Sequence, residues 1–108
     1  SKMALDVLKL MPGKKIVVTP GMIELANQEY ELNKKFGEYI ADSVDEVILV
    51  GAKQTKPIQD GLAKKKFPKE KIYILNDVKE AFALMQKLKE KDTYVLLEND
   101  LPDIFNEK

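Results

Sequence analysis

The chain contains no Cys, no His and no Trp, and its eighteen basic residues are all Lys, so Arg is missing too. Each absence removes a chemistry. Without Cys there is no disulfide and no thiolate nucleophile, and without Cys and His together the usual zinc sites cannot be assembled. Without His no imidazole can act as base in a Ser-His-Asp triad. Without Arg no planar guanidinium can grip a phosphate or carboxylate through two parallel hydrogen bonds. No apolar run approaches the roughly 20 residues that cross a bilayer. The start, Ser1 to Asp6, lacks the apolar stretch of a signal peptide, since Asp6 and Lys9 interrupt it. Opening on Ser1 rather than Met, the chain reads as a processed product or an excised fragment, and its lack of cysteine is compatible with the cytoplasm.

What is present bounds the answer further. A chain of 108 residues has room for one core, so residues 1–108 read as a single domain. The composition, 44% hydrophobic and 33% charged, is that of a globular domain. Eighteen acidic residues balance the eighteen lysines, so no overall field draws the chain to nucleic acid or to an acidic membrane. Lys, carboxylates, hydroxyls, amides and backbone N–H groups remain for chemistry. That inventory disfavours an enzyme complete within this chain.

Four apolar runs stand out: Ile16-Val17-Val18, Val47-Ile48-Leu49-Val50, Ile72-Tyr73-Ile74-Leu75 and Tyr94-Val95-Leu96-Leu97. Each is continuous rather than alternating, the pattern of strands covered on both faces in a parallel sheet between helices. The stretches between them suit crossover helices. One runs from about Lys2 to Met11 and is stopped by Pro12-Gly13. A second carries the stripe Leu25, Leu32, Phe36, Ile40, with Glu29, Glu31, Lys34, Lys35 and Glu38 outward. A third starts near Pro57 and turns Ile58 and Leu62 to the sheet. The last is capped by Asn76 and carries Val78, Ala81, Phe82, Met85 and Leu88 at helical spacing. The expected fold is α/β, a three-layer Rossmann-like sandwich with a mainly parallel sheet of at least four strands. No internal repeat, low-complexity tract or linker interrupts it.

Ligands of such sheets bind outside the carboxyl ends of the strands. That edge is built from Thr19-Pro20-Gly21-Met22, Gly51-Ala52-Lys53-Gln54-Thr55, Asn76-Asp77 and Glu98-Asn99-Asp100. The opposite edge, with Lys14-Lys15, Asp45-Glu46, Lys69-Glu70-Lys71 and Lys91-Asp92, reads as merely charged. Gly21, at a strand-to-helix turn, lets backbone N–H groups approach an anion, although an ordinary βα turn reads the same way. Glu24 falls in a first helical turn, where an acid is favourable with or without a task. Lys53, Gln54 and Thr55 offer one charge and two hydrogen-bonding groups, or a solvated loop. The phosphate loop G-x-x-x-x-G-K-[ST] is nowhere in the chain. Glu98, Asp100 and Asp103 could hold a hard cation or an ammonium group, or be solvated. Lys64-Lys65-Lys66 reads as a solvated helix end. No catalytic or metal-ligating residue is assigned. The ligand-facing candidates are Thr19, Gly21, Met22, Glu24, Gly51, Lys53, Gln54, Asn76, Glu98, Asn99 and Asp100.

The run Met3-Ala4-Leu5-Asp6-Val7-Leu8, then Pro12-Gly13-Lys14-Lys15-Ile16-Val17-Val18, Gly21-Met22-Ile23-Glu24-Leu25 and Val47-Ile48-Leu49-Val50-Gly51 resembles the carboxy-terminal domain of the Mur ligases. Within that family it is most similar to the branch that adds D-alanyl-D-alanine to the UDP-N-acetylmuramoyl tripeptide of peptidoglycan synthesis. The resemblance covers roughly residues 1–97. It implies a Rossmann-like last domain of a three-domain cytoplasmic enzyme that uses ATP and magnesium to activate a carboxylate as an acyl phosphate, which an amine then attacks. The middle domain of such enzymes holds the phosphate loop, and the last closes over nucleotide and amine. Of the family's G-D-M-x-E-L-G turn, Met22, Glu24 and Leu25 match, while Gly21 stands in place of Asp and Ala26 in place of Gly. Asn33 falls where many members carry His. A Lys-Gly-Ser-Arg run frequent in this branch is replaced by Leu97-Glu98-Asn99-Asp100-Leu101-Pro102. An acidic edge there would attract an ammonium or a magnesium ion, so Glu98 and Asp100 are expected to meet the amine or a basic residue of a neighbouring domain. Two rivals remain: a stand-alone Rossmann-like module binding a nucleotide or protein at Gly21 and Gly51, and a phosphoacceptor receiver-like domain. Against the latter, the first strand ends in Thr19 rather than an acid.

Overall fold

The computed structural model describes residues 2–20 and 29–97. Among the described residues its elements alternate as expected: α1 (Lys2–Lys9), β1 (Lys14–Thr19), α2 (Glu29–Ser43), β2 (Glu46–Val50), α3 (Lys56–Lys64), β3 (Ile72–Leu75), α4 (Val78–Leu88) and β4 (Thr93–Leu97), with a 3-10 turn at Lys69–Lys71. The four strands form one parallel sheet in the order β3-β2-β1-β4. From β1 the chain moves through α2 and α3 to β2 and β3, then returns through α4 to the far side of β1. Right-handed crossovers send the helices of those opposed moves to opposite faces. The two cores agree. Leu5, Leu8, Phe36, Ile40, Ile58 and Leu62 of α1, α2 and α3 meet Val17, Val47 and Leu49 on one face. Val78 and Ala81 of α4 meet Ile16, Val18, Ile48 and Val50 on the other.

All four strands read alike in sequence, yet only β1 and β2 have their apolar residues buried throughout. The edge strands β3 and β4 are half-buried, and Ile74 (41%) and Leu97 (40%) are exposed. Double coverage therefore holds for the centre of the sheet and not for its rims. The short β3 follows Lys69 and Lys71, and brevity and lysines both discourage pairing with another chain's edge.

Helix α2 differs from the reading of its stripe, α4 in its cap and α1 in its end. On α2, Leu32 is exposed, and the buried face is Asn33, Phe36, Gly37, Ile40 and Val44 just past the helix end; Leu25 lies outside the described residues. The reason is α3. A Cβ on Gly37 would sit 2.4 Å from the Ile58 carbonyl oxygen, and one on Gly61 would sit 2.1 Å from that of Lys34. The two helices touch backbone to backbone at these glycines, which carry no apolar signal to count. On α4 the cap is Asp77, whose Oδ1 accepts from the Lys79 N–H at 2.9 Å. Asn76 is occupied elsewhere, as shown below. Helix α1 ends at Lys9, two residues short of Met11. Helix α3 closes with Lys66 in the left-handed region (φ 60°), its N–H donated to Ala63 and that of Phe67 to Leu62; this is the glycine-favouring Schellman end with a lysine in it.

Candidate functional site

The direction of the chain reverses at β1, which has β2 on one side and β4 on the other. Ligand crevices of open α/β sheets form at such a switch point, outside the carboxyl ends. The segments that follow β1 and β4 there carry Gly21, Met22, Glu24, Glu98, Asn99 and Asp100, all outside the described residues. Thr19, the last residue of β1, is completely buried.

The described part of this edge centres on the turn between β2 and α3. Gly51 takes φ +100° and donates its N–H to the Leu75 carbonyl at 2.6 Å. Thr55, also fully buried, donates its hydroxyl to the Gly51 carbonyl at 2.6 Å. Gln59 reaches back to the Ala52 carbonyl (3.1 Å) and to Thr55 Oγ1 (3.2 Å). Asn76 Oδ1 accepts from the Ala52 N–H at 3.4 Å. Gln54 Nε2 donates to both the Pro20 and Val50 carbonyls at 3.1 Å. The structure thus gathers Gly51, Gln54 and Asn76, with Pro20, into one hydrogen-bonded hub. Most of its polar side chains are spent on backbone. Lys53 is exposed at the tip of the turn and has no ion-pair partner among the described residues.

Beside this edge, at the starts of α2 and α3, the Tyr30 hydroxyl donates to Asp60 Oδ2 at 2.8 Å, and Lys56 lies 3.7 Å from the same carboxylate. That hydrogen bond holds the Tyr30 hydroxyl above its ordinary pKa. A groove of about 520 Å³ runs from Lys56, Gln59 and Asp60 to Phe67, Ile72 and Ile74, and another of about 710 Å³ lies against Lys14, Asp45, Lys71 and Glu90. Neither is lined by the carboxyl ends of β1 or β4.

The amino edge carries more than surface charge. Glu46, its side chain 4% exposed, stands at the start of β2 with Lys14 Nζ 2.9 Å from Oε1, Lys71 Nζ 3.7 Å from Oε2 and the Tyr73 hydroxyl donating to Oε2 at 3.2 Å. The Lys14 ammonium is the positive charge beside the buried Oε1. Lys14 also donates to the Leu88 carbonyl at 2.9 Å and stands 3.6 Å from Glu90. Interaction with Glu46 raises the Lys14 pKa against the opposing effect of burial, and burial, then the Glu46 carboxylate, raises that of Tyr73. Sequence reasoning missed this cluster. A glutamate opening a run as apolar as Val47–Val50, with lysines at the starts of the neighbouring strands, was the available signal. Among the described residues no three acidic side chains converge as a metal site, and no helix is long and apolar enough to cross a membrane.

Comparison with known proteins completes the picture. The family described as Mur ligase, glutamate ligase domain matches residues 1–97. The chain is similar in structure to a MurF ligase from Thermotoga maritima, solved in complex with ADP, with a TM-score of 0.67 at 21% identity; the match covers 87% of this chain and 20% of that one. The chain thus spans about a fifth of that relative's length. No curated protein sequence matches significantly.

Proposed function

The chain belongs to the Mur ligase family, and from that premise we propose that it is the closing domain of a cytoplasmic, ATP-dependent amide-forming ligase of peptidoglycan synthesis. In that enzyme a carboxylate of a UDP-linked muramoyl peptide takes the γ-phosphoryl group of ATP, and ADP departs. The amine of the second substrate, D-alanyl-D-alanine in the branch this chain resembles, attacks the activated carbonyl. Phosphate leaves and the ammonium proton is lost. The domain's own part is to cover the reactants with the carboxyl edge of its sheet, excluding water and orienting the nucleotide and amine.

The observation that carries this reading is the family match over residues 1–97 on a domain whose described edge offers backbone, amides and Lys53 but no acid–base pair. Lys53 suits a phosphate oxygen as a single cation. Among the described residues no group of three carboxylates converges to hold a metal ion. Glu98 and Asp100 are assigned to the amine, whose charge they would attract. Phosphate release that depends on both the muramoyl peptide and the amine, in the complete ligase, tests the reading. Titration of the 108-residue chain with ATP tests the closing role: weak or undetectable binding is expected, and micromolar affinity, about −8 kcal/mol, would instead mark an autonomous nucleotide-binding module.

A further inference from the structure

The β1–β2 ladder runs from Ile16 opposite Glu46 to Thr19 opposite Leu49. One step further, Pro20 would face Val50. Proline has no N–H, so the ladder cannot be extended from its nitrogen. The Gln54 side chain lies at this point. Its two amide hydrogens go to the Pro20 and Val50 carbonyls, both at 3.1 Å, one on each strand's exit. Two carbonyl acceptors at the same end of the amide leave no ambiguity about which end is the NH2 group. The side chain reaches there only by folding back over Gly51, where an added Cβ would meet Gln54 Cγ at 2.7 Å and Cδ at 2.8 Å. The absent side chain of Gly51 is therefore the space that Gln54 fills.

We propose that Gln54 is a positioning residue: it locks the exit of β1, through the Pro20 carbonyl, to the turn that carries Lys53, so that the two parts of the ligand-facing edge hold one geometry. Gln54 touches no reactant in this scheme. It acts through Pro20 and through the turn, and the inference rests on the proposal that this edge closes over nucleotide and amine. The other bonds of the hub tie the same turn to β3 and α3, and the Gln54 amide joins it to the β1 exit.

The test uses two replacements of similar size. Gln54→Met removes both donors without adding charge, and Gln54→Glu sets a carboxylate against two carbonyl oxygens. In the complete ligase each should raise KM for ATP or for D-alanyl-D-alanine about fivefold, with kcat changed by less than about twofold and the Met variant's unfolding midpoint nearly unmoved. In the 108-residue chain both should shift the Pro20 carbonyl carbon resonance, reporting the lost bond directly. A lost bond with both KM values unchanged overturns the inference, as does a Pro20 resonance that neither replacement moves. Lys53→Ala separates this from the reading beneath it. If Lys53→Ala raises KM and the Gln54 variants do not, positioning alone fails; if none of the three moves KM, the edge itself has been misassigned.

Discussion

The two edges of the sheet are held by different physics. At the amino edge a buried carboxylate, Glu46, is compensated by Lys14, Lys71 and Tyr73, and Asp45 bonds the Lys15 N–H at 2.8 Å. At the carboxyl edge the hub is built from neutral amides and a hydroxyl on backbone carbonyls, and Lys53, exposed at its tip, has no ion-pair partner among the described residues. Charges that are spent on one another stabilise the fold and are unavailable to a ligand. A neutral scaffold leaves the local field to whatever binds. Among the described residues, paired charge thus marks the amino edge, and neutral hydrogen bonds mark the hub at the carboxyl edge.

Substitutions at the two edges should separate these roles. The largest effect is expected at Gly13, where a Cβ would lie 1.7 Å from the Asp92 carbonyl oxygen. The obstacle is backbone, so Gly13→Ala should cost about 3 kcal/mol or more in urea unfolding. Glu46→Ala comes next. Removing one member of a buried charge cluster costs about 3–5 kcal/mol, but Lys14 and Lys71 are part-exposed (22% and 47%) and can turn to water, so about 2 kcal/mol is expected. Ligand KM values should be untouched, and a rise in them would erase the contrast between the edges. Gly51→Ala should cost about 1.5 kcal/mol, since φ +100° is strained for alanine while the obstructing Gln54 side chain can swing aside. Unlike Gly13→Ala, it should also raise KM.

A pH profile sharpens the comparison further. Lys14 and Tyr73 have pKa values raised above their ordinary 10.5 and 10.0, so the folded state holds their protons more tightly than the unfolded one. Their contribution is complete below about pH 10 and is lost as pH rises through the folded-state values. Denaturation midpoints should fall in that range, and Glu46→Gln should flatten the fall. The smallest stability effect belongs to Lys53→Ala, within about 0.5 kcal/mol for an exposed side chain without a partner; its consequence should appear in ATP or amine KM alone.

Most of the architecture was legible from local pattern. Four β-branched runs separated by helical stretches located every strand to within two residues, and Pro57, Ile58 and Leu62 fell as expected on α3. The errors have one origin. Leu32 counts as apolar and Gly37 does not, yet the close approach of α3 buries Gly37 and leaves Leu32 in water. Asn76 and Asp77 are equally good caps by composition; Asp77 took the role while Asn76 met the Ala52 N–H across the edge. Lys53 read as a charge and Gln54 as a hydrogen-bonding group of one loop, but that the Gln54 partner is the Pro20 carbonyl is set by the fold.

By itself the amino-acid order determined the α/β alternation, the parallel sheet and the absence of Cys, His and Arg from the available chemistry, because strand and helix periods and residue chemistry are local properties. Only the folded structure decided which strands form the rims, that Glu46 is buried among lysines, and that Gln54 bridges two strand exits. Those depend on which segments far apart in the chain become neighbours, and distance in space is not written in any one stretch of chain.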